Sequence, residues 1–422
     1  MREALGRVAG NVAWLAAGEV LLKGSVFVSA ILVARGFGAA GMGTFTVAFA
    51  AALIFTQVLA SGQVEVLIRE TARTAGLARQ LLRSSLRFQL RVGAVAVPLA
   101  VIAAALVPDA ALRWAMIMFL PYAWLRARLT TIGALFKGVD RMDVEVLARG
   151  LEVAVALVVL GIVVLGGLPI WIGGLAFACG TGAGLSWLKS RLSELPVDSP
   201  APATPAPVAR EGAHFLGLSV AHQLAIRSDA LALAGFGVAS AEIGRYGVAT
   251  ACTWGLLGAA QLIAVALYPT VSRAAERGTL GMGWPLRLAA AGITLGCLLA
   301  GGIFIVRDPF VSLVFGAEYV GTARLLSITA WALPGACCSM LLGIVVASLR
   351  RQRWSLVWQV VVVTLSVSSL LVAIPRWGTE GCAWVVVGTQ SLSAMAMLAL
   401  GVEATRRASR AEPRDRSAMA PQ

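Results

Sequence analysis

The sequence predicts an all-α integral membrane protein, and three observations lead to that class. Of its 422 residues, 59% are hydrophobic and only 13% are charged, whereas soluble domains average about 45–50% apolar and about 25% charged residues. The mean hydropathy is +0.83. The apolar residues form long continuous runs rather than the alternating pattern of a membrane barrel. These observations exclude an ordinary soluble enzyme, a disordered chain and a fibre.

Twelve apolar runs are long enough to serve as membrane spans, because a helix needs about 20 residues to cross the hydrocarbon core. The predicted spans are 11–34, 40–62, 88–107, 113–136, 150–165, 170–188, 214–236, 243–268, 284–306, 323–349, 355–374 and 381–402.

The positions of the cationic residues predict the topology. With both termini in the cytoplasm, most of the 35 Lys and Arg residues fall in cytoplasmic segments, and no outer loop carries more than two. This distribution follows the positive-inside rule. We therefore predict a multi-pass monomer in a bacterial cytoplasmic (inner) membrane, with both termini cytoplasmic. The net charge of +14 then reflects topology, and no nucleic-acid partner is expected.

The two halves of the chain share three short patterns in the same order. The shared patterns are Phe-Gly followed by Gly-x-aromatic-x-Val-Ala (Phe37 to Ala48, Phe236 to Ala249), Leu-Pro in the fourth span of each half (Leu120, Leu333), and Pro-x-Trp (Pro169, Pro375). Six spans in each half insert the same way up, which predicts parallel repeats. The predicted regions are an N-terminal lobe (1–192), a Pro/Ala-rich cytoplasmic linker (193–211), a C-terminal lobe (212–403) and a basic cytoplasmic tail (404–422).

Four motifs carry a resemblance to a known family over nearly the whole chain. They are Val33-Ala34-Arg35-Gly36-Phe37-Gly38 leading to Phe45, Arg227-x-Asp229 before Ile243-Gly244-Arg245-Tyr246, Tyr268-Pro269-Thr270-Val271-Ser272-Arg273, and Val314-Phe315-Gly316-Ala317-Glu318-Tyr319. With these motifs the chain resembles the polysaccharide exporter (O-antigen flippase) family of the multidrug/oligosaccharidyl-lipid/polysaccharide (MOP) superfamily. The resemblance implies two lobes around a central cavity, as in multidrug and toxin extrusion (MATE) transporters. It also implies that the protein moves an undecaprenyl-diphosphate-linked oligosaccharide to the outer leaflet by alternating access, for polysaccharide biosynthesis.

Ionisable side chains inside the spans are the candidate functional residues, because a charge in a membrane is costly and faces the bundle interior. The cations Lys23, Arg126, Arg128 and Arg227 are the candidates for binding the diphosphate, and Glu19, Asp229 and His222 are the candidates for ion coupling. Glu19 and Lys23 could instead neutralise each other at i,i+4 spacing, and His222 could be structural. Glu152 and Glu65 are assigned to span ends as interfacial residues.

Two tryptophans, Trp124 and Trp254, are candidates for stacking on sugar rings, although Trp more often marks the membrane interface. Arginines recur at about every fourth residue between residues 69 and 91, which predicts one basic helix on anionic lipid headgroups. No catalytic residue, metal site or cofactor is expected, and transport would use an H+ or Na+ gradient. Glycosyltransferase and polymerase machinery are expected neighbours.

Two other function classes compete with export of a lipid-linked oligosaccharide. A multidrug antiporter of the same superfamily would need surplus carboxylate for cationic drugs, whereas the deep charges here are net positive. A membrane polymerase or ligase would need a sizeable outer loop with catalytic residues. The longest outer loop is short, and the chain has 2 His in all.

Overall fold

The computed structural model describes residues 2–196, 208–349 and 352–411, and within them the chain is helical. The helices are α1 (Arg2–Ala60), α2 (Gln63–Arg73), α3 (Ala78–Ala105), α4 (Ala110–Met118), α5 (Leu120–Gly138), α6 (Met142–Leu165), α7 (Gly173–Ser190), α8 (Val208–Gly235), α9 (Ser240–Glu276), α10 (Gly283–Phe315), α11 (Thr322–Ala330), α12 (Ala332–Ser348) and α13 (Gln352–Ala411).

Two of these helices each contain two of the predicted spans. In α1 the backbone leaves the helical conformation at Gly38, where φ is 66°, and in α13 it does so at Gly378, where φ is 55°. Positive φ is readily adopted only by glycine, so each glycine allows one span to join the next without a loop. These kinks lie between predicted spans one and two and between spans eleven and twelve.

The fourth span of each half is broken in the same way. A break at Phe119 separates α4 from α5, and a break at Trp331 separates α11 from α12. Each second helix then begins with a Leu-Pro pair in its first turn, where proline costs no helical hydrogen bond. The shared break is the structural counterpart of the shared Leu-Pro pattern.

Membrane-spanning character is shared by most of the helices. Eight helical stretches in the described part of the chain are long and apolar enough to cross a membrane, and α1 and α13 each provide one stretch that holds two spans. Helices α5 and α8 do not meet that criterion, and they carry Arg126, Arg128, Arg227 and Asp229. The predicted all-α membrane class is confirmed, and the helices agree with twelve spans.

The chain divides into two compact units, Met1–Val248 and Ala249–Gln422. In the first unit α1 packs on α5, α6 and α8, and α7 packs on α5 and α6. In the second unit α12 packs between α10 and α13. The predicted lobe boundaries at the linker stay a prediction. Linker residues 197–207 and tail residues 412–422 lie outside the described part of the chain.

The first unit contains a reciprocal glycine contact between α1 and the start of α9. A Cβ added to Gly43 would lie 1.8 Å from the carbonyl oxygen of Ser240, and one added to Gly244 would lie 1.9 Å from the carbonyl oxygen of Ala39. The backbones of these helices therefore touch, which only small residues permit.

The predicted basic helix over residues 69–91 is wrong as a single helix. The backbone breaks at Thr74 (φ −145°, ψ 85°), a 3₁₀ turn follows over Ala75–Leu77, and α3 begins at Ala78. The β-branched Thr74 and the flexible Gly76 are both poor helix formers. The stripe is consequently divided between α2 and α3.

Candidate functional site

A buried ion pair lies at the junction of three helices in the first unit. The Arg126 guanidinium on α5 donates from Nη1 to Oε2 of Glu152 on α6. The Thr181 hydroxyl on α7 donates to the other carboxylate oxygen, Oε1, over 2.8 Å. Only 13% of the Arg126 side chain and 8% of the Glu152 side chain are exposed. Both carboxylate oxygens are thus satisfied, as a buried charge requires.

The assignment of Glu152 to the membrane interface was therefore wrong. Helix α6 begins at Met142, well before the apolar run that marked the predicted span. Glu152 lies about 15 Å along the helix axis from that start, at a rise of about 1.5 Å per residue. The first turns of α6 pack against other helices rather than lipid, so they need not be apolar.

A second buried carboxylate, Asp229 on α8, is held by hydrogen bonds. The Tyr246 hydroxyl on α9 donates to Asp229 Oδ2 over 2.6 Å, and the backbone N–H of Ala230 donates to Oδ1 over 2.7 Å. Tyr246 is 1% exposed. Arg227 lies within electrostatic range of Asp229 and Tyr246. Arg227 and Asp229 are two positions apart on one helix and cannot pair well along it, and no hydrogen bond joins them in the described part of the chain.

Tyr122 lies on α5, the helix that also carries Arg126. It is buried and lies within electrostatic range of Arg126, Glu152 and Arg227. Its ring packs against Phe49 and Phe177, with ring centroids 5.9 Å and 5.7 Å apart. Apolar aromatic rings therefore lie next to these charged groups. The sequence analysis did not single out Tyr122, because a tyrosine in an apolar run can serve as a packing residue. Tyr246 stood in one of the family motifs, but its bond to Asp229 was not predicted.

The candidate cations Arg128 and Lys23 are less enclosed than Arg126. Arg128 stacks on the Trp124 ring at 4.5 Å from the centroid, and the edge of Trp124 packs on Gly93 of α3. Lys23 on α1 is half-buried and lies within electrostatic range of His222 on α8, which is exposed. The side chain of Glu19 lies outside the described residues, so its predicted pairing with Lys23 stays a prediction.

The structure brings most of the predicted site residues into one unit. Lys23, Arg126, Arg128, Asp229 and the residues around them lie in the first unit, whereas Trp254 lies in the second, half-buried on α9. Trp124 has one ring face occupied by Arg128, which leaves at most its other face for a sugar. The predicted roles of all these residues in substrate binding and coupling stay predictions.

Two guanidinium groups in this site have unsatisfied donors. The Nε atoms of Arg128 and Arg227 are both buried, and neither has a hydrogen-bond partner in the described part of the chain. A buried donor without an acceptor loses its hydration without compensation, which costs about 1–3 kcal/mol or more for a charged group. Arg128 and Arg227 therefore each keep a buried donor that no acceptor among the described residues satisfies.

Several solved structures share the fold of this protein. It resembles the inward-facing conformation of a multidrug resistance MATE family transporter of the MOP superfamily, with 14% identity, a TM-score of 0.76, and 93% of this chain and 96% of that chain covered. The outward-facing conformation of such a transporter matches with 15% identity, a TM-score of 0.68, and coverage of 96% and 97%. A MOP superfamily transporter from Pyrococcus furiosus, described as having a binding pocket of reverse polarity, matches with 12% identity, a TM-score of 0.60, and coverage of 95% and 96%. The fold is that of the MOP transporters.

The particular family follows from the sequence. Residues 8–275 match the model of the polysaccharide biosynthesis protein family, and the chain belongs to that family. No curated protein sequence matches the chain. The predicted family and the MATE-like fold are confirmed. Family and fold together identify the chain as a multi-pass membrane protein of the polysaccharide biosynthesis protein family with a MATE-like fold.

Proposed function

We propose that this protein moves an undecaprenyl-diphosphate-linked oligosaccharide from the cytoplasmic to the outer leaflet by alternating access. The observation that carries the proposal is the pair of buried, unsatisfied Nε donors on Arg128 and Arg227. Phosphate oxygens are the acceptors that a guanidinium fork fits best. A lipid-linked diphosphate brings those oxygens into a membrane protein.

The charges around these arginines support an anionic substrate. Four candidate cations, Lys23, Arg126, Arg128 and Arg227, lie in the first unit with the buried carboxylates Glu152 and Asp229. The third buried carboxylate of this unit, Glu145, is paired with Lys137 and Arg149. Glu152 neutralises Arg126 through a direct ion pair, so Arg126 becomes a structural residue in this proposal. The positive excess then resides on Lys23, Arg128 and Arg227.

Trp124 gives the proposed site a surface for the first sugar. Its ring is fixed beside the Arg128 guanidinium, so a phosphate on Arg128 would place the attached sugar near the free side of the indole. For coupling to an H+ or Na+ gradient we propose Asp229, with Glu19 and His222 as further candidates. Trp254 remains a candidate for contact with more distant sugars.

The proposal includes a location and neighbours. We place the protein in the bacterial inner membrane with both termini in the cytoplasm, where glycosyltransferases complete the substrate, and polymerase machinery receives it outside. Reporter fusions at each terminus test the orientation. An enzymatic reporter that is active only outside the cell should stay inactive at both ends.

Transport in proteoliposomes tests the function. Fluorescent undecaprenyl-diphosphate oligosaccharide in the inner leaflet becomes accessible to an added glycosidase only after it is flipped. Replacement of Arg227 or Arg128 by Ala should slow this step about ten- to hundredfold, the equivalent of one charged hydrogen bond. Arg324→Ala is the control, because that arginine is exposed and pairs with Glu380 at 2.8 Å.

Two results would contradict the proposal. One is transport at the wild-type rate by folded Arg128→Ala and Arg227→Ala variants. The other is export of cationic dyes with no movement of the diphosphate lipid, which would identify a multidrug antiporter.

A further inference from the structure

The first turns of α3 present three exposed arginines on one face of the helix. Arg83, Arg87 and Arg91 are all exposed and follow one another at i,i+4 spacing, so they lie on one face. At about 1.5 Å per residue, Arg83 and Arg91 are about 12 Å apart along the helix axis. This face, defined by the three arginines, is called the α3 basic face.

The other arginines of the sequence stripe are engaged within the protein. Arg69 and Arg73 contact the carboxylate of Glu70 at 2.9 Å and 3.4 Å. Arg79 donates to the carbonyl oxygens of Leu192 and Ser193, both at 3.5 Å. By contrast, no described residue forms a hydrogen bond or ion pair with Arg83, Arg87 or Arg91. The engaged arginines therefore lie on α2 and in the first turn of α3, and the arginines that face outward follow them along α3.

The α3 basic face continues directly into an apolar surface. Further along the same side of the helix, Val101 is 38% and Ile102 is 58% exposed. The opposite side is buried through Leu81, Ser85 and Gln89. A helix side that is cationic at one end and apolar at the other matches the boundary between lipid headgroups and acyl chains.

We infer that the α3 basic face binds the phosphate headgroups of anionic glycerophospholipids. The partner follows from charge complementarity, since guanidinium forks pair with phosphate oxygens and the adjoining apolar residues contact acyl chains. A distance of about 12 Å exceeds the reach of one phosphate, so the surface fits two neighbouring phosphates, as in two phosphatidylglycerol molecules or one cardiolipin. It is distinct from the proposed substrate site and does not depend on it.

Lipid retention tests this inference. Purified protein is exchanged into nanodiscs of phosphatidylcholine with a minor fraction of phosphatidylglycerol, and the lipids that stay bound are counted by native mass spectrometry. The wild type should retain phosphatidylglycerol in excess of its share. Each arginine near an anionic surface contributes about fivefold in binding, so Arg87→Gln should lower the excess about fivefold and the triple Arg83/Arg87/Arg91→Gln variant should abolish it.

A matched variant controls for the change in charge. Replacing Arg35, Arg324 and Arg376 by Gln removes the same charge from exposed arginines that are predicted to lie on the opposite side of the membrane. This control should keep the phosphatidylglycerol excess. The inference is overturned if the triple α3 variant retains wild-type excess, or if the control loses as much. If the triple variant does not fold, the Arg87→Gln variant is used instead. A loss of about fivefold in the phosphatidylglycerol excess supports the inference, and an unchanged excess overturns it.

Discussion

The two units of the chain share a repeated helical pattern but differ in what they bury. The described interior of the first unit contains three carboxylates, Glu145, Glu152 and Asp229, whereas the buried polar residues described in the second unit are all Thr or Ser. In the second unit Thr253 and Thr329 bond to each other at 2.9 Å. The difference teaches that the buried carboxylates of the described residues are concentrated in the first unit, which holds α1 to α7 together with α8 and the start of α9.

The cost of a buried charge explains why this difference bears on function. An ion pair inside a protein rarely stabilises it more than apolar residues of the same size would, so stability alone does not account for the charges of the first unit. Hydroxyl groups are cheaper, because each can bond to a carbonyl of its own helix. The proposed substrate and coupling groups accordingly all lie in the first unit, except Trp254.

The largest expected effect comes from breaking the ion pair of the first unit. Glu152→Gln should lower the free energy of unfolding by about 3–5 kcal/mol, because Arg126 stays buried without its counter-charge. Unfolding in mixed detergent micelles measures this. A double variant, Arg126→Met with Glu152→Leu, should recover most of the loss. Equal losses in the single and double variants would show that the pair's charges are not the cause.

A smaller effect is expected at the second carboxylate. Tyr246→Phe removes the hydrogen bond to Asp229 and should cost about 1.5–3 kcal/mol of unfolding free energy. The matched change in the second unit, Tyr268→Phe, affects an exposed ring and should cost less than about 0.5 kcal/mol. When Asp229 is already replaced by Asn, Tyr246→Phe should lower the unfolding free energy by less. If the effects of the two substitutions add, the hydrogen bond between Tyr246 and Asp229 is not the cause of the loss.

The reciprocal glycines should respond equally to substitution. Gly43→Ala and Gly244→Ala each place a methyl group against a backbone carbonyl, which should cost about 1–3 kcal/mol of unfolding free energy. Gly255→Ala and Gly343→Ala in the second unit are the controls, because an added Cβ meets nothing within 4 Å there. These should gain up to about 1 kcal/mol. A loss at only one of Gly43 and Gly244 would argue against a reciprocal contact.

The smallest effect is expected at the hydroxyl pair of the second unit. Thr253→Val should cost about 0.5–1.5 kcal/mol, and adding Thr329→Val should cost little more, because both partners are then apolar. Thr181→Val in the first unit is the comparison. It should cost more, since Thr181 donates to the buried Glu152 carboxylate. If Thr181→Val and Thr253→Val lower the thermal unfolding temperature equally, the interiors of the two units do not differ in the way described.

The sequence predicted the spans well because a membrane imposes long apolar runs, and Arg227 and Asp229 stood out as charges within them. It misplaced Glu152, since the polar first turns of α6 are covered by other helices and the apolar run begins later. It did not single out Tyr122, and it placed Tyr246 in a family motif without predicting the bond to Asp229, because both roles depend on tertiary contacts. The sequence also predicted a single helix where the structure has α2 and α3, because the spacing of the arginines does not reveal the break at Thr74.

The contact between Gly43 and Gly244 has the symmetry of an isologous interface. Each helix offers a glycine and, four residues earlier, the carbonyl that the other glycine touches, at Ala39 and Ser240. Identical surfaces that fit each other in this way are the hallmark of two-fold dimers. Each repeat thus carries both elements of the contact, the glycine and the carbonyl, on a single helical turn.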